Sequence, residues 1–431
     1  MNRTFTLILV FLFSAGSFAQ VNRPMTLDEC IKTGMENSKT LKIAKYKVDA
    51  AEEKLKEVNT AYLPTLKFMG NYTRLSKVDP FTVMGITIAP SILDNYTTKL
   101  SLMQPLFTGG RISGTSDMME SNYEAAKSDY NKEKDQLVYD VKNAFWSYYK
   151  SLENRKAIEE NIKMVEAHLK DIENMMVLGL ATNNDVLRVK VQLSNARLLL
   201  IDAKNNVEIS MIGLNNVMGI PVNQDTKIEA KPNSPTTQTW DLDKLIKEAI
   251  ANRPEIKAME YRIKMNESSI TVSNASWFPQ FSAGANYTYS KPNSRIFPTV
   301  NEFKGTWDVG ITMTYDLWNW RLTSHQTAQN KLNLEQALLS LGQIKDGISL
   351  EVNQVYLGLV RAKEKIPVAD ETVKQAEENY RVTSEKYKQG LVLNSDVIDA
   401  ETSLLQAKIN YTTSVVDYEL MLARLEKSIS K

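Results

Sequence analysis

The strongest constraint on this chain is an internal duplication built on very long helical hairpins. Residues 321–388 keep helical periodicity, a turn occupies 388–396, and a second helix returns to about residue 427. On the returning helix Val397, Ala400, Leu404, Ala407, Tyr411, Ser414, Tyr418, Met421 and Leu425 recur at alternating steps of three and four. That is the seam of a helix packed in coiled-coil fashion. An offset of 211 residues lands on Val186, Val189, Leu193, Ala196, Leu200, Ala203, Val207, Ser210 and Leu214, the same seam without a gap. Each returning helix follows a Gly-Leu turn, Gly179-Leu180 and Gly390-Leu391, and each Gly is followed six residues later by Asp, Asp185 and Asp396. The outgoing helices, 111–178 and 321–388, would reach ~100 Å at 1.5 Å per residue, far more than a globular core requires. Pro367 is expected to bend or break the second, and Lys156 stands at the matching place in the first.

The duplication begins earlier still. At an offset of 215, the stretch from Thr26 through Asn37 and on to Leu63-Pro64 aligns with that from Asp241 through Asn252 and on to Phe278-Pro279. Each proline ends a helix, and each is followed by a change from helical period to period two. In the second copy Phe281, Ala283, Ala285, Tyr287 and Tyr289 alternate with Ser282, Gly284, Asn286, Thr288 and Ser290. After a loop with Pro292 and Pro298, Trp307, Val309, Ile311, Met313, Tyr315 and Leu317 alternate with Thr306, Asp308, Gly310, Thr312, Thr314 and Asp316. The first copy is less regular, with Leu66, Phe68 and Tyr72 on one strand, Leu100, Leu102 and Leu106 on the other, and a loop between them around Asp79-Pro80. Strands of about ten residues with one apolar and one polar face are the unit of an outer-membrane barrel. Four strands cannot close a barrel, for which about eight is the working minimum. An open edge is not tolerated in lipid, so closure requires several chains. Tyr72, Tyr96, Phe107, Trp277, Phe278, Trp307, Tyr315, Trp318 and Trp320 cluster near strand ends, suited either to a bilayer interface or to strand packing.

Residues 1–19 combine Arg3, an apolar run from Phe5 to Phe13, and Ser17-Phe18-Ala19 before Gln20. This reads as a cleaved secretory signal, with an apolar run too short to span a bilayer. The mature part then carries 51 basic and 51 acidic side chains, a balance that gives no electrostatic case for nucleic acid. No later window is apolar enough for a transmembrane helix, so entry into a membrane must be by strands. The domain organisation expected is a signal at 1–19, a first repeat at 20–218, an irregular linker at 219–240 rich in Pro, Asn and Thr, and a second repeat at 241–431. The lone Cys30 and the two histidines, His168 and His325, make no metal cluster, and neither a nucleophile elbow nor a phosphate loop follows any strand. Neither an enzyme nor a cofactor is expected, and the histidines are read as exposed or seam residues.

Two tandem strand-strand-helix-turn-helix repeats behind a signal, the Gly-Leu turns and the run Asp396-Val397-Ile398-Asp399-Ala400 resemble the TolC-like outer-membrane efflux proteins over nearly the whole mature chain. The resemblance implies a mainly α protein with membrane β structure. It implies a homotrimer in which three sets of four strands form a 12-stranded outer-membrane barrel on an α-helical barrel crossing the periplasm. The partners implied are a periplasmic adaptor of the membrane-fusion type, an inner-membrane transporter reached through it, and outer-membrane lipid. The family's entrance aspartates match Asp396 and Asp399, whose spacing puts both on one helix face; six carboxylates around one opening would favour and trap cations. Asp396 equally suits a first helical turn. Of the family's constriction links, the tyrosine matches Tyr387 and the aspartate Asp185, but the arginine falls on Val392, so one link should be missing; burial of Tyr387 on the seam is the alternative. Adaptor contact is implied for Gly179, Leu180, Thr182, Gly390 and Leu391, where glycine also simply permits a tight turn. The function expected is a passive exit duct of a tripartite efflux system, with the duct of a type I protein-secretion system and a soluble periplasmic coiled-coil scaffold as alternatives.

Overall fold

The computed structural model describes residues 23–88, 92–233 and 240–431. The signal at 1–19 and part of the linker, 234–239, lie outside the described residues. The duplication is close in its helical parts, each helix matching its counterpart in length to within one residue. In the first copy α1 is Leu27–Asn37 and α2 Lys39–Asn59, followed by a 3-10 turn at Thr60–Tyr62. In the second copy α5 is Leu242–Asn252 and α6 Pro254–Asn274, again followed by a 3-10 turn, Ala275–Trp277. The turns tighten because the prolines at 64 and 279 cannot extend the ladder. Ser38 caps α2 by accepting from the Leu41 amide at 3.3 Å. Pro254 opens α6 after Asp241 has capped α5.

The long hairpins are α3 (Arg111–Val177) with α4 (Asn183–Met218), and α7 (Leu322–Lys388) with α8 (Asn394–Ser428). α3 and α7 each hold 67 residues. α7 continues through Pro367, which does not break it as the sequence had suggested it could. The seam residues of α4 and α8 are buried or nearly so, with Val189 and Leu214 at 0% and Val397 at 1% exposure. Tyr411 is the departure, at 36%.

Four strands, β1 (Thr65–Arg74), β4 (Asp94–Phe107), β5 (Gln280–Lys291) and β6 (Lys304–Thr314), form one antiparallel sheet in the order β1-β4-β5-β6. Its register sorts the side chains by face. Phe68, Leu100, Tyr287 and Trp307 are cross-strand neighbours, as are Leu66, Leu102, Ala285 and Val309. On the other face Lys67, Ser101, Asn286 and Asp308 stand in line, and Asn286 donates to the Asp308 carboxylate at 2.7 Å. β1 and β6 are the free edges. Pro105, which cannot donate to a ladder, sits at a register shift between β4 and β5. The loop after β1 holds an unforeseen two-stranded hairpin, β2 (Phe81–Val83) and β3 (Ile86–Ile88). Its turn residues Met84 and Gly85 both have positive φ, the backbone of a tight hairpin.

The chain divides into two compact units, each drawing on both repeats. One takes 141–233 and 373–416 with the N-terminal residues to 36; the other takes 37–140, 234–372 and 417–431. In the second unit Leu245, Ala249 and Ile256 are buried with Val352, Val355 and Leu359 of α7 and Tyr418 and Leu425 of α8. Arg253, its side chain 6% exposed, bonds Glu351 at 2.6 Å and Glu255 at 3.3 Å, holding the α5–α6 joint. In the first unit the irregular segment after α4 is tied down rather than loose. The Asn215 amide donates to the carbonyls of Val222 and Gln224, Thr226 donates to Asn215, and Tyr148 donates to the Thr226 carbonyl. Among the described residues no helix is long and apolar enough to cross a membrane.

Candidate functional site at the hairpin turns

Both hairpins turn by the same backbone device. Gly179 and Gly390 take φ of +76° and +74°. The Leu180 amide reaches back to the Met175 carbonyl at 2.8 Å and the Leu391 amide to that of Lys386 at 2.9 Å, the Schellman closure of a helix end. A Cβ at either glycine would meet nothing within 4 Å, so glycine is required by the dihedral and not by crowding. The leucines that follow are left in solvent: Leu180 is 75% and Leu391 67% exposed, with Leu178 at 72% and Leu393 at 71%. Exposed apolar clusters of this kind mark contact surfaces.

The returning helices begin differently. Thr182 and Asp185 form a full capping box: the Asp185 amide donates to Thr182 Oγ1 at 3.2 Å, and the Thr182 amide and hydroxyl donate to Asp185 Oδ2 at 3.1 and 2.6 Å. The hydrogen bonds from Thr182 hold the Asp185 carboxyl below the usual aspartate value, with Arg188 adding to the effect. At the equivalent place in the second copy Leu393 has no hydroxyl, and only half the box remains, the Leu393 amide donating to Asp396 Oδ2 at 2.9 Å. Asp396 therefore does cap its helix. It is nonetheless exposed, and so is Asp399 one turn on.

Tyr387 and Asp185, the two residues matched to the family's constriction links, lie near enough for the Asp185 charge to add to burial in pushing the Tyr387 hydroxyl up. The Asp185 carboxylate is taken by Thr182, while Tyr387 is half-buried against the core of α3 and α4 and meets the His168 ring edge-on at 5.5 Å. The hairpins are joined by other groups as well. Asn394 donates its amide to the Asp185 carbonyl at 3.2 Å, Gln192 donates to Thr402 at 3.3 Å, and Lys388 lies 3.5 Å from Asp171. Further along, Lys408 joins Glu160 at 3.1 Å and Glu377 at 3.7 Å. Sequence reasoning missed Arg188, which lines one groove with Asn184, Leu187, Val191, Ser395, Ile398 and Asp399. Its signal was available: the offset of 211 sets Arg188 opposite Asp399 in kind and Asn184 opposite Ser395. Of the histidines, His168 is buried in the seam and His325 is exposed. Among the described residues no cluster of ligating side chains could hold a metal ion.

The family model described as outer membrane efflux protein matches residues 31–220 and 245–429. The chain belongs to that family. This efflux protein is 21% identical over 413 residues to outer membrane protein TolC of Vibrio cholerae, covering 94% of this chain and 90% of the relative. It is 22% identical over 377 residues to the alkaline protease secretion protein AprF of Pseudomonas aeruginosa, covering 85% and 76%. Among solved structures, the Campylobacter jejuni CmeC outer membrane channel superposes with a TM-score of 0.80 at 15% identity, covering 94% of this chain and 85% of that one. The efflux protein thus has the protomer fold of the outer-membrane channels, lies in the outer membrane and acts as an exit duct of efflux. A soluble scaffold is set aside, and the secretion alternative is not favoured.

Proposed function

We propose that three copies of this chain assemble into a passive conduit, energised by a periplasmic adaptor and an inner-membrane pump, with a carboxylate entrance at Asp396 and Asp399. The observation that carries the assembly is the sheet: four strands with two free edges, β1 and β6, in a protein that lies in lipid. An unpaired edge there forfeits several kcal/mol per group, and three such sheets joined edge to edge make a 12-stranded closed barrel.

At the entrance, support for a cation filter comes from the exposure of Asp396 and Asp399 on one face at the start of α8. Arg188 in the same groove supplies a counter-charge on α4, and takes the part that Val392 cannot. The exposed Leu180 and Leu391, presented by glycine turns of identical geometry with Thr182 beside the first, suit an adaptor whose own tip is apolar. Tyr387 and Asp185 keep a share in holding the constriction, Tyr387 through His168 and Asp185 through its carbonyl to Asn394.

The test is single-channel conductance in planar bilayers, comparing wild type with the double change Asp396→Ala, Asp399→Ala, with and without a trivalent cation. Cation-selective pores blocked in wild type and unblocked in the variant are expected. Equal block in both would remove the carboxylate filter and keep the duct; well-folded protein without pores would remove the duct.

A further inference from the structure

One buried pair of titratable side chains has no part in the entrance as described. His168 of α3 and Glu401 of α8 stand with Nδ1 3.2 Å from Oε1, and their side chains are 4% and 0% exposed. The distance is that of an ion pair, but the alignment is not that of a hydrogen bond, and none of the four polar atoms has a hydrogen-bond partner. α3 belongs to the first hairpin and α8 to the second, so the pair spans the contact between them.

The groups facing it come from all four helices. α7 presents Tyr387, edge-on to the imidazole, and Tyr380, whose hydroxyl is pushed up by burial and then by Glu401 and Asp171. α3 carries Asp171, which is paired with Lys388. α4 carries Asp185, already held by Thr182. Lys408 of α8 is engaged with Glu160 and Glu377, and Lys190 of α4 with Glu173. The imidazole is the basic group built against Glu401.

A carboxylate in a buried seam is tolerated only with a counter-charge or a proton. Holding one titratable proton between them, His168 and Glu401 are neutral as a pair. Losing that proton leaves a lone buried anion, which only water can relieve, and water enters only if α3 and α8 separate. We propose that His168 and Glu401 form a proton-operated latch between the two hairpins. The hairpins stay together while the pair keeps its proton and part when it is lost. That parting widens the entrance rests on the exit-duct reading above; the latch itself does not.

A hydrated histidine releases its proton above about pH 6.5, so in alkaline conditions the closed form holds one proton more than the parted form. Rising pH therefore favours parting, by at most about tenfold per pH unit. A second proton on the closed pair would leave an imidazolium without its counter-ion, so strong acid loosens it too.

The test uses the full-length protein in lipid vesicles, with spin labels on Asn183→Cys and Gln389→Cys, exposed positions at the two turns. Cys30 does not compete for label, because burial pushes its thiol up to about 12. Between pH 6 and 8.5 the wild-type background should shift several-fold toward longer separations. Glu401→Gln, whose amide cannot ionise, should remain short at both, and His325→Gln should shift like wild type. In the His325→Gln protein His168 is the sole histidine, so its imidazole NMR signal must lose its proton in step with the distance change. Distances independent of pH, an equal shift in Glu401→Gln, or an imidazole that titrates out of step would overturn the latch. Conductance recorded alongside separates the two readings. Shifting distances without pores would sink the duct and keep the latch, whereas pores with fixed distances would sink the latch and keep the duct.

Discussion

Thr182 and Leu393 occupy the same position in the two repeats, yet only the first completes a capping box. Thr182→Ala should therefore weaken the start of α4 by about 1 kcal/mol, read as faster hydrogen exchange of its first-turn amides. Leu393→Thr should slow exchange at the start of α8. The acid dependence follows from Asp185, whose carboxyl is held below its ordinary value of 3.8 by Thr182. A depressed carboxyl contributes stability that is present above the ordinary value and is lost as pH falls through the folded one. Exchange protection of α4 should thus fall at acid pH in wild type and fall less in Thr182→Ala. Gly390→Ala meets no steric neighbour, and its cost is the left-handed backbone, about 1 kcal/mol.

At the scale of elements, the sheet separates two kinds of surface. Val309, 70% exposed and aligned with Ala285 and Leu102, is on the face that meets lipid in the proposed barrel. Val309→Lys should cost about 2–4 kcal/mol near the bilayer midplane, measured as lost folding into lipid vesicles. Thr312→Lys, in register with Ser282 on the polar face, should fold like wild type. The strand-to-helix turns differ in an instructive way. Gly109-Gly110 and their counterparts Trp320-Arg321 all take positive φ, a conformation that strains any residue with a Cβ by about 1 kcal/mol or more. Trp320 is 83% exposed and stacks edge-on with Trp318 at 5.8 Å, so the strained turn sets two indoles where an interface would receive them.

For the whole molecule, α7 leaves Leu332, Leu339, Leu350, Leu357 and Val368 exposed at 60% or more in every case, with spacings of seven and eleven residues that keep them on one side of a helix. Such a stripe calls for a second copy of the chain. Leu339→Glu combined with Leu357→Glu should abolish the proposed trimer, seen by light scattering, while helical circular dichroism is kept. The duplication, the helix limits and the sheet faces were legible in the sequence because each rests on local periodicity and on the punctuation of Gly and Pro. The α5–α6 joint, the β2–β3 hairpin and the route of α7 through Pro367 were less so, since a single proline or a three-residue strand carries too little pattern against its surroundings. The sequence by itself determined which residues face a seam, a lipid surface or a turn, because side-chain spacing alone fixes those faces. Only the tertiary structure decided the partners. Arg188 shares a groove with Asp399, and His168 is buried against Glu401, because which long helices lie side by side depends on contacts between residues more than two hundred positions apart.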